Sequence, residues 1–531
     1  MRNLKAIRVG LLGGIALACA LASLARAAND PPSTDSQAES GEAVFTGICA
    51  GCHGTGLAGG RGPSLFNKAL LTARGDAGIR SIILKGIPGT EMPAFEGAID
   101  DAQITSIIRY LHSSAVRLQP SAPSGALSSA PAHGPAMYTA PNPNGQRIHS
   151  EKQDFRIEAV ATGLNMPWGL AFLPDGRLLV TERTPAQLRV IDASGKLLPP
   201  VENMPVVHQG QDAGLLDVAA GADYAKDGWI YLAYSDESPE VPQVSPPSAG
   251  ETGRQTKRPS MTVIVRGKID ANNQWSEQQD IFRQPYSAYT RGDLHYGSRI
   301  LFDGKGHVFF SIGDRGDAKI AQDLGSPIGK IHRVNLDGSV PADNPFAGRP
   351  GVVSSIWSYG HRNTQGLALD PATGLVWESE HGPNGGDEIN IIDKGGNYGW
   401  PTVSMGQQPG VTQTAGSGFL PPVAWYSPTI APSGIAFYHG RRYPGWNRSL
   451  FVGGLLGQQL RRLTVKGRRV VGQEILFAQL GRVRAMATGP DGLLYVLITE
   501  PTGPGTGVEI GAPVPGAVVR LVPIDWQQAA R

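Results

Sequence analysis

The sequence predicts an all-β propeller of six blades preceded by a separate small all-α domain. Composition is the first indication: the 531 residues include 70 glycines and 42 prolines, and only 17% are charged. Ordinary soluble domains carry about 25% charged residues, and this balance suits many short strands joined by tight turns rather than long helical bundles. The second is a turn-plus-strand unit that recurs six times between about residues 155 and 525. The third is a break in texture: residues 39–115 read as short helices, and 116–150 as a polar, proline-rich tether. Hydrophobic residues at 40% leave ample material for a core.

The first 28 residues have a basic start, an apolar run from Val9 to Leu24 and the small-x-small ending Ala25-Arg26-Ala27. This is the pattern of a cleaved secretory signal, and the run is shorter than the ~20 residues of a membrane span. The expected location is periplasmic or secreted, without a transmembrane segment after cleavage. The formal charge of +2 includes Arg2, Lys5, Arg8 and Arg26, and removing those four positives leaves −2. With no basic run elsewhere, nucleic acid is not an expected partner.

Of three cysteines, Cys19 leaves with the signal, and Cys49 and Cys52 persist in the run Cys49-Ala50-Gly51-Cys52-His53. C-x-x-C-H is the attachment signature of c-type haem. A zinc site would need further thiol or imidazole ligands nearby, and a redox dithiol would follow a strand in a βαβ unit. A helix is predicted from Glu39 to Ile48, an amphipathic stretch from Ile79 to Lys85, and a closing helix from Asp100 to His112. Ile104, Ile107, Ile108 and Leu111 form one stripe of the last. Between them Met92 sits in a Gly/Pro-flanked loop about 40 residues beyond His53, within reach of a distal iron position. Residues 39–115 resemble a class I cytochrome c, which implies His53 and Met92 as axial ligands and a haem tuned for electron transfer.

The stretch Ser113–Ser150 (38 residues) reads as a flexible tether with an r.m.s. span of roughly 35 Å. Beyond it the six turns are Pro174-Asp175-Gly176, Asp227-Gly228, Asp303-Gly304, Asp370 to Gly374, Pro444-Gly445 and Pro490-Asp491-Gly492, each followed by branched or aromatic residues. Repetition of one turn-and-strand signature without helical periodicity points to a propeller spanning 151–527. A Pro/Ser-rich stretch from Ser235 to Ser260 reads as a surface insertion.

Chemistry-bearing residues concentrate in a few runs. His295-Tyr296-Gly297-Ser298-Arg299 precedes the third unit's strand and Ile312-Gly313-Asp314 closes it, so a carboxylate is available to orient the imidazole as a base. Tyr359-Gly360-His361-Arg362-Asn363-Thr364-Gln365-Gly366, His381-Gly382-Pro383-Asn384-Gly385-Gly386-Asp387-Glu388-Ile389-Asn390 and Asn397-Tyr398-Gly399-Trp400-Pro401 follow. Arg482 and Arg484 share one face of a strand, an arrangement that repels unless a multiply anionic ligand or surface carboxylates lie between them. The spacing of His361, His381 and His439 fits no standard zinc pattern.

These runs, in this order over about 155–525, resemble the soluble quinoprotein glucose and aldose sugar dehydrogenases and the sorbosone dehydrogenase-like proteins. The resemblance implies a six-bladed propeller holding pyrroloquinoline quinone (PQQ) with calcium. It implies His295 as the proton-abstracting base and Asp314 as its orienting acid. PQQ contacts fall on Arg362, Asn363, Gln365, Arg482 and Arg484, with Gln211, or Asp212 beside it, near the site. Calcium ligands fall on the carbonyls of Gly382 and Pro383, and a second, structural calcium on Glu388 and Tyr398. One departure stands out: where the family has a lysine after Gly-x-Leu, this chain reads Gly453-Gly454-Leu455-Leu456, so a cation contact is missing. The reading is a quinohaemoprotein that oxidises an aldose or related aldehyde and passes electrons from PQQ to haem c and on to an external cytochrome or oxidase. A non-catalytic sugar-binding propeller and a calcium-dependent lactonase are the alternatives. The second would surround a central ion with acidic and Asn ligands instead of an arginine pair.

Overall fold

A computed structural model describes residues 41–46, 48–53, 65, 68–86, 92–117, 143–239, 258–383, 385–406, 418–426, 429–478, 480–500 and 514–524. The signal segment and most of the tether lie outside them. The chain divides into two compact units, each described by itself.

In the helical unit, residues 41–46 are helical, and longer helices span Lys68–Lys85, kinked at Gly75, and Asp101–Arg117. The predicted stripe of Ile104, Ile107, Ile108 and Leu111 is buried. Phe45 meets Tyr110 at 5.4 Å between ring centroids. Gly41 permits this crossing, because a Cβ there would stand 2.1 Å from the Ser106 carbonyl oxygen. The last helix runs to Arg117, two residues into the predicted tether.

The propeller's strands form six sheets. Blade 1 is Pro167–Phe172, Leu178–Glu182 and Gln187–Ile191. Blade 2 is Leu215–Ala220, Ile230–Glu237, Ser260–Ile269 and Trp275–Phe282. Blade 3 is Ile300–Phe302, His307–Ile312, Lys330–Asn335 and Ile356–Tyr359. Blade 4 is Thr364–Leu369, Val376–Glu380, Asp387–Ile391 and Ala424–Tyr426. Blade 5 is Pro432–Phe437, Ser449–Gly454, Gln459–Lys466 and Arg469–Phe477. Blade 6 is Arg482–Thr488, Leu494–Thr499 and Pro515–Pro523, completed by Phe155–Asn165 from the other end of the chain. The first strand of each blade packs on the first strands of both neighbours, so these strands close a ring. Arg147–Ile148 pairs with Phe155 and Arg156 at the outer edge of blade 6. Residues predicted to end the tether therefore belong to the sheet: their polar, glycine-rich texture is that of an edge strand and its turn.

All six predicted turns join the first strand of a blade to its second. The first strand starts, and the antiparallel second strand ends, at the opposite end of the blade. That end is where the chemical residues are found. The predicted insertion begins and ends inside strands: Glu237 pairs with Ser260, Ser235 is buried, and 240–257 lie outside the described residues.

The inner strands approach closely. A Cβ on Gly169 would lie 2.8 Å from the Val218 nitrogen, and one on Gly434 2.9 Å from the Ala485 Cα. Where blades 1, 4 and 5 carry Gly169, Gly366 and Gly434, blades 2 and 3 carry Asp217 and Arg299, paired at 2.9 Å and buried. Arg299 also donates to the carbonyls of Gln365 (3.0 Å) and Arg484 (3.4 Å), and lies over Trp168 at 4.1 Å. One guanidinium from blade 3 thus touches blades 1, 2, 4 and 6. Leaving a buried ion uncompensated costs about 3–5 kcal/mol. Asp217→Asn is therefore expected to lower the propeller's stability in guanidinium titrations by about that much, while Val206→Ala, at a 91% exposed side chain, shifts it by less than about 0.5 kcal/mol.

Candidate active site at the propeller mouth

His295 ends the loop entering blade 3, in the left-handed region at φ 53°, with Gly297 at φ 65° behind it. Its Nδ1 stands 2.6 Å from Asp314 Oδ1, which follows the second strand of the same blade. The other carboxylate oxygen, Oδ2, accepts from the Trp400 indole at 2.8 Å. Burial by itself raises the Asp314 carboxyl, but the His295 hydrogen bond and the charges of His295 and Arg362 hold it below the usual carboxylate range. Asp314 is thus an ionised acceptor that fixes one imidazole nitrogen and leaves Nε2 for chemistry.

A polar row runs outward from this dyad. Asn363 Oδ1 accepts from the Gly297 amide (3.3 Å) and from Gln365 Nε2 (3.1 Å), and Gln365 Oε1 accepts from Arg484 (3.1 Å). Arg362 donates to the His381 carbonyl (3.3 Å) and its amide to Glu380 (2.6 Å). The structure thus brings together His295, Asp314, Arg362, Asn363, Gln365 and Arg484 from blades 3, 4 and 6. Arg482 stands beside Arg484, with Arg183 from the end of blade 1's second strand. Burial, then Arg183, push Arg482 down to about 10, and Arg484 is lowered by burial and by Arg482, Arg183 and Arg299. Asp212 is the carboxylate opposing these shifts, and its Oδ2 also accepts the His295 amide at 3.1 Å. The residue turned into the site is therefore Asp212, whereas Gln211 is exposed.

His381 is held neutral by burial and then by Arg362, Arg484, His295 and Arg482, and its buried Nε2 has no hydrogen-bond partner among the described residues. Several guanidinium groups around one weakly opposed carboxylate, with a neutral imidazole lacking a partner, suit a planar polyanion with ring oxygens and nitrogens. The residues fit PQQ. Gly382 lies in a tight turn, its amide bonded to Asp387 Oδ1 at 3.0 Å, and a Cβ there would meet the Gly385 oxygen at 2.2 Å. Leu456 is partly buried in the loop after blade 5's second strand.

Glu388 lies away from this row, in a buried nest within blade 4. Asn390 Nδ2 donates to Glu378 (3.0 Å), Glu380 (3.4 Å) and Glu388 (3.2 Å), while its own Oδ1 has no partner among the described residues. His361, Glu378 and Glu380 offer ligand atoms within 4.8 Å of one another, and the Tyr398 ring stacks on His361 at 4.7 Å. Burial and then Glu380 push Glu388 up to about 8. His439 lies apart, 3.7 Å from Asp370. Trp425 and Tyr426 lie in the outer strand of blade 4, with Trp425 exposed and Tyr426 buried.

The short helix Ala50–His53 carries the attachment motif, with the His53 amide bonded to the Cys49 carbonyl at 2.9 Å. His53 is buried, and Cys49 and Met92 are partly buried. The Cys52 side chain lies outside what is described. The Met92 segment is pinned by the Phe95 amide on the Ile83 carbonyl (3.0 Å), and packs so closely on Gly86 that a Cβ would stand 2.5 Å from the Met92 oxygen.

Arg183 and the Glu378–Glu380 pair were missed in sequence, Asp212 was named only as the alternative to Gln211, and Trp400 only as part of a run. The repeated ending of second strands, Thr181-Glu182-Arg183 beside Ser379-Glu380-His381, is the signal that points to two of these positions.

Residues 164–505 match the family model Glucose / Sorbosone dehydrogenase, and residues 36–111 match Cytochrome C oxidase, cbb3-type, subunit III. Aldose sugar dehydrogenase YliI of Escherichia coli is 35% identical over 355 residues, 65% of this chain and 91% of that protein. The PQQ-bound aldose sugar dehydrogenase from Streptomyces coelicolor is 32% identical with a TM-score of 0.53, covering 69% of this chain and 98% of the other. Cytochrome c6 of Leptolyngbya boryana is 36% identical over 75 residues, 14% of this chain and 88% of that protein.

A charge-assisted hydrogen bond is worth about 1.5–3 kcal/mol, ten- to a hundredfold in affinity. Leu456→Lys is expected to tighten PQQ binding by about that factor in fluorescence titrations, and an unchanged affinity counts against a cation site there. With residues 164–505 matched by one family model and residues 36–111 by a second, the chain belongs to the Glucose / Sorbosone dehydrogenase family, as a PQQ-dependent sugar dehydrogenase with a cytochrome c domain ahead of the propeller.

Proposed function

We propose that the protein works outside the cytoplasm as a quinohaemoprotein, oxidising the anomeric hydroxyl of an aldose or a related aldehyde and delivering the electrons through haem c to an external acceptor. The observation that carries this reading is the His295–Asp314 pair set beside a guanidinium cluster with too little negative charge of its own. In this reading Arg482, Arg484, Arg362, Asn363 and Gln365 hold PQQ, and the carbonyls of Gly382 and Pro383 hold its calcium. When bound, PQQ supplies a two-electron acceptor that the metal polarises. His295 Nε2 takes the substrate hydroxyl proton, Asp314 keeps the ring oriented and stabilises the imidazolium, and Asp212 fixes the His295 backbone. A positioned base of this kind contributes about 10²–10⁴ in rate.

Cys49 and Cys52 hold the haem by thioether bonds, with His53 and Met92 as axial ligands, a pairing that favours electron transfer. The tether keeps haem and propeller at an effective concentration near millimolar. A second calcium sits in the nest of Glu378, Glu380 and Glu388, which resembles the family position at Glu388 and Tyr398. Exchanging the oxygen and nitrogen of the Asn390 amide would turn its partnerless oxygen onto the ion.

Two measurements follow. The protein reconstituted with calcium and PQQ is expected to reduce its haem when an aldose is added, read at the α-band. His295→Asn is expected to slow this by about 10²–10⁴ while PQQ still binds, whereas intact haem that stays oxidised with every aldose favours a sugar-binding module. Calcium is expected to raise the melting temperature of the PQQ-free protein. That rise should be lost in Glu378→Gln, and a rise of the same size in the variant removes the second ion.

A further inference from the structure

We infer that Trp400 is a positioning residue for the proton-abstracting pair. Its indole N–H holds the carboxylate oxygen of Asp314 that His295 does not use, and so fixes the plane of the acid and the aim of the base. The role rests on the dehydrogenase reading above.

Three observations carry it. Asp314 Oδ1 lies 2.6 Å from His295 Nδ1, and Oδ2 lies 2.8 Å from Trp400 Nε1, so both oxygens are used and the carboxylate cannot rotate without losing a partner. The Asp314 backbone is held as well, its amide on the Arg362 carbonyl at 2.8 Å and the Gly316 amide on Oδ1 at 2.9 Å. Trp400 is buried and is itself placed by an unusual route. It belongs to the long connection after blade 4's third strand, which runs back along blade 3. The Tyr398 amide bonds the Tyr359 carbonyl (2.9 Å), the Trp400 amide bonds the Gly360 carbonyl (3.0 Å), and Gln322 Nε2 donates to the Trp400 carbonyl (2.7 Å).

The same ring lies under Arg362, 5.5 Å from its guanidinium carbon. One side chain therefore touches the acid of the catalytic pair with its edge and a predicted cofactor arginine with its face. This predicts that the two contacts can be separated by substitution. Phenylalanine keeps the face and loses the donor; alanine loses both.

In the holoenzyme, Trp400→Phe is expected to lower kcat about tenfold, the usual size for a residue that orients a catalytic ligand or acid. KM for the sugar and the Kd for PQQ should stay within about twofold. Hydrogen bonding to an ionised carboxylate favours the charged form. Without the indole, Asp314 therefore keeps its proton to higher pH, and the loss of kcat on acidification should begin at higher pH than in the wild type. Trp400→Ala should weaken PQQ binding in addition. Unchanged kcat and pH profile in Trp400→Phe overturn the role, as does an equal loss of kcat and PQQ affinity, which would mark a merely structural ring. If the variant does not fold, the wild type labelled with ¹⁵N-tryptophan serves. The indole N–H resonance that disappears or moves in Asp314→Asn should follow the protonation of Asp314 as pH falls, and a resonance indifferent to both refutes the contact. Wild-type protein that binds PQQ and leaves it oxidised with every aldose overturns the dehydrogenase reading first, and this role with it.

Discussion

The buried pair of Arg299 and Asp217 is the contact on which the propeller mouth depends. Water has been removed from both groups, so the guanidinium must spend its donors inside the protein. It does so on Asp217 of blade 2 and on the carbonyls of Gln365 and Arg484 in blades 4 and 6, against the Trp168 ring of blade 1. Those two carbonyls belong to residues whose side chains meet each other at 3.1 Å in the site above. The floor of the site and the spacing of its ligands are therefore set by one side chain. Two blades give up the glycine that others use at this level so that the pair can exist.

Blade topology explains why chemistry gathers at one end. Residues just before a first strand and just after a second strand lie at the same end of each antiparallel sheet. His295, Asp212 and Arg362 lie just before a first strand, Gln365, Arg482 and Arg484 near the start of one, and Asp314, Arg183, His381 and Leu456 just after a second. The opposite end holds the six glycine-bearing turns. A dense set of cations at the mouth, answered mainly by Asp212, makes the free site electrostatically unfinished and gives an anionic ring a strong reason to bind.

Much of this was legible in the chain. The six turns predicted six blades because a glycine-bearing turn marks each first-to-second connection, and the tighter ones demand glycine at positive φ, as at Gly176 and Gly304. The pairing of His295 with Asp314 was legible because both flank one predicted strand pair. What could not be read is contact between segments far apart. Asp217 and Arg299 are 82 residues apart, and Trp400 and Asp314 are 86 apart. The choice between Gln211 and Asp212 depends on which way a loop residue faces, which period-two reasoning does not fix outside a strand. Residues 147–148 looked like tether because an edge strand with one partner needs little apolar sequence.

The central claim is that carboxylates, more than ring shape, hold the quinone in the mouth. Titrating the calcium-loaded, quinone-free protein with PQQ and with its trimethyl ester tests this directly. The account expects the triacid to bind more than a hundredfold more tightly than the ester, with an affinity that falls as salt is raised. Equal affinity for the two would contradict it.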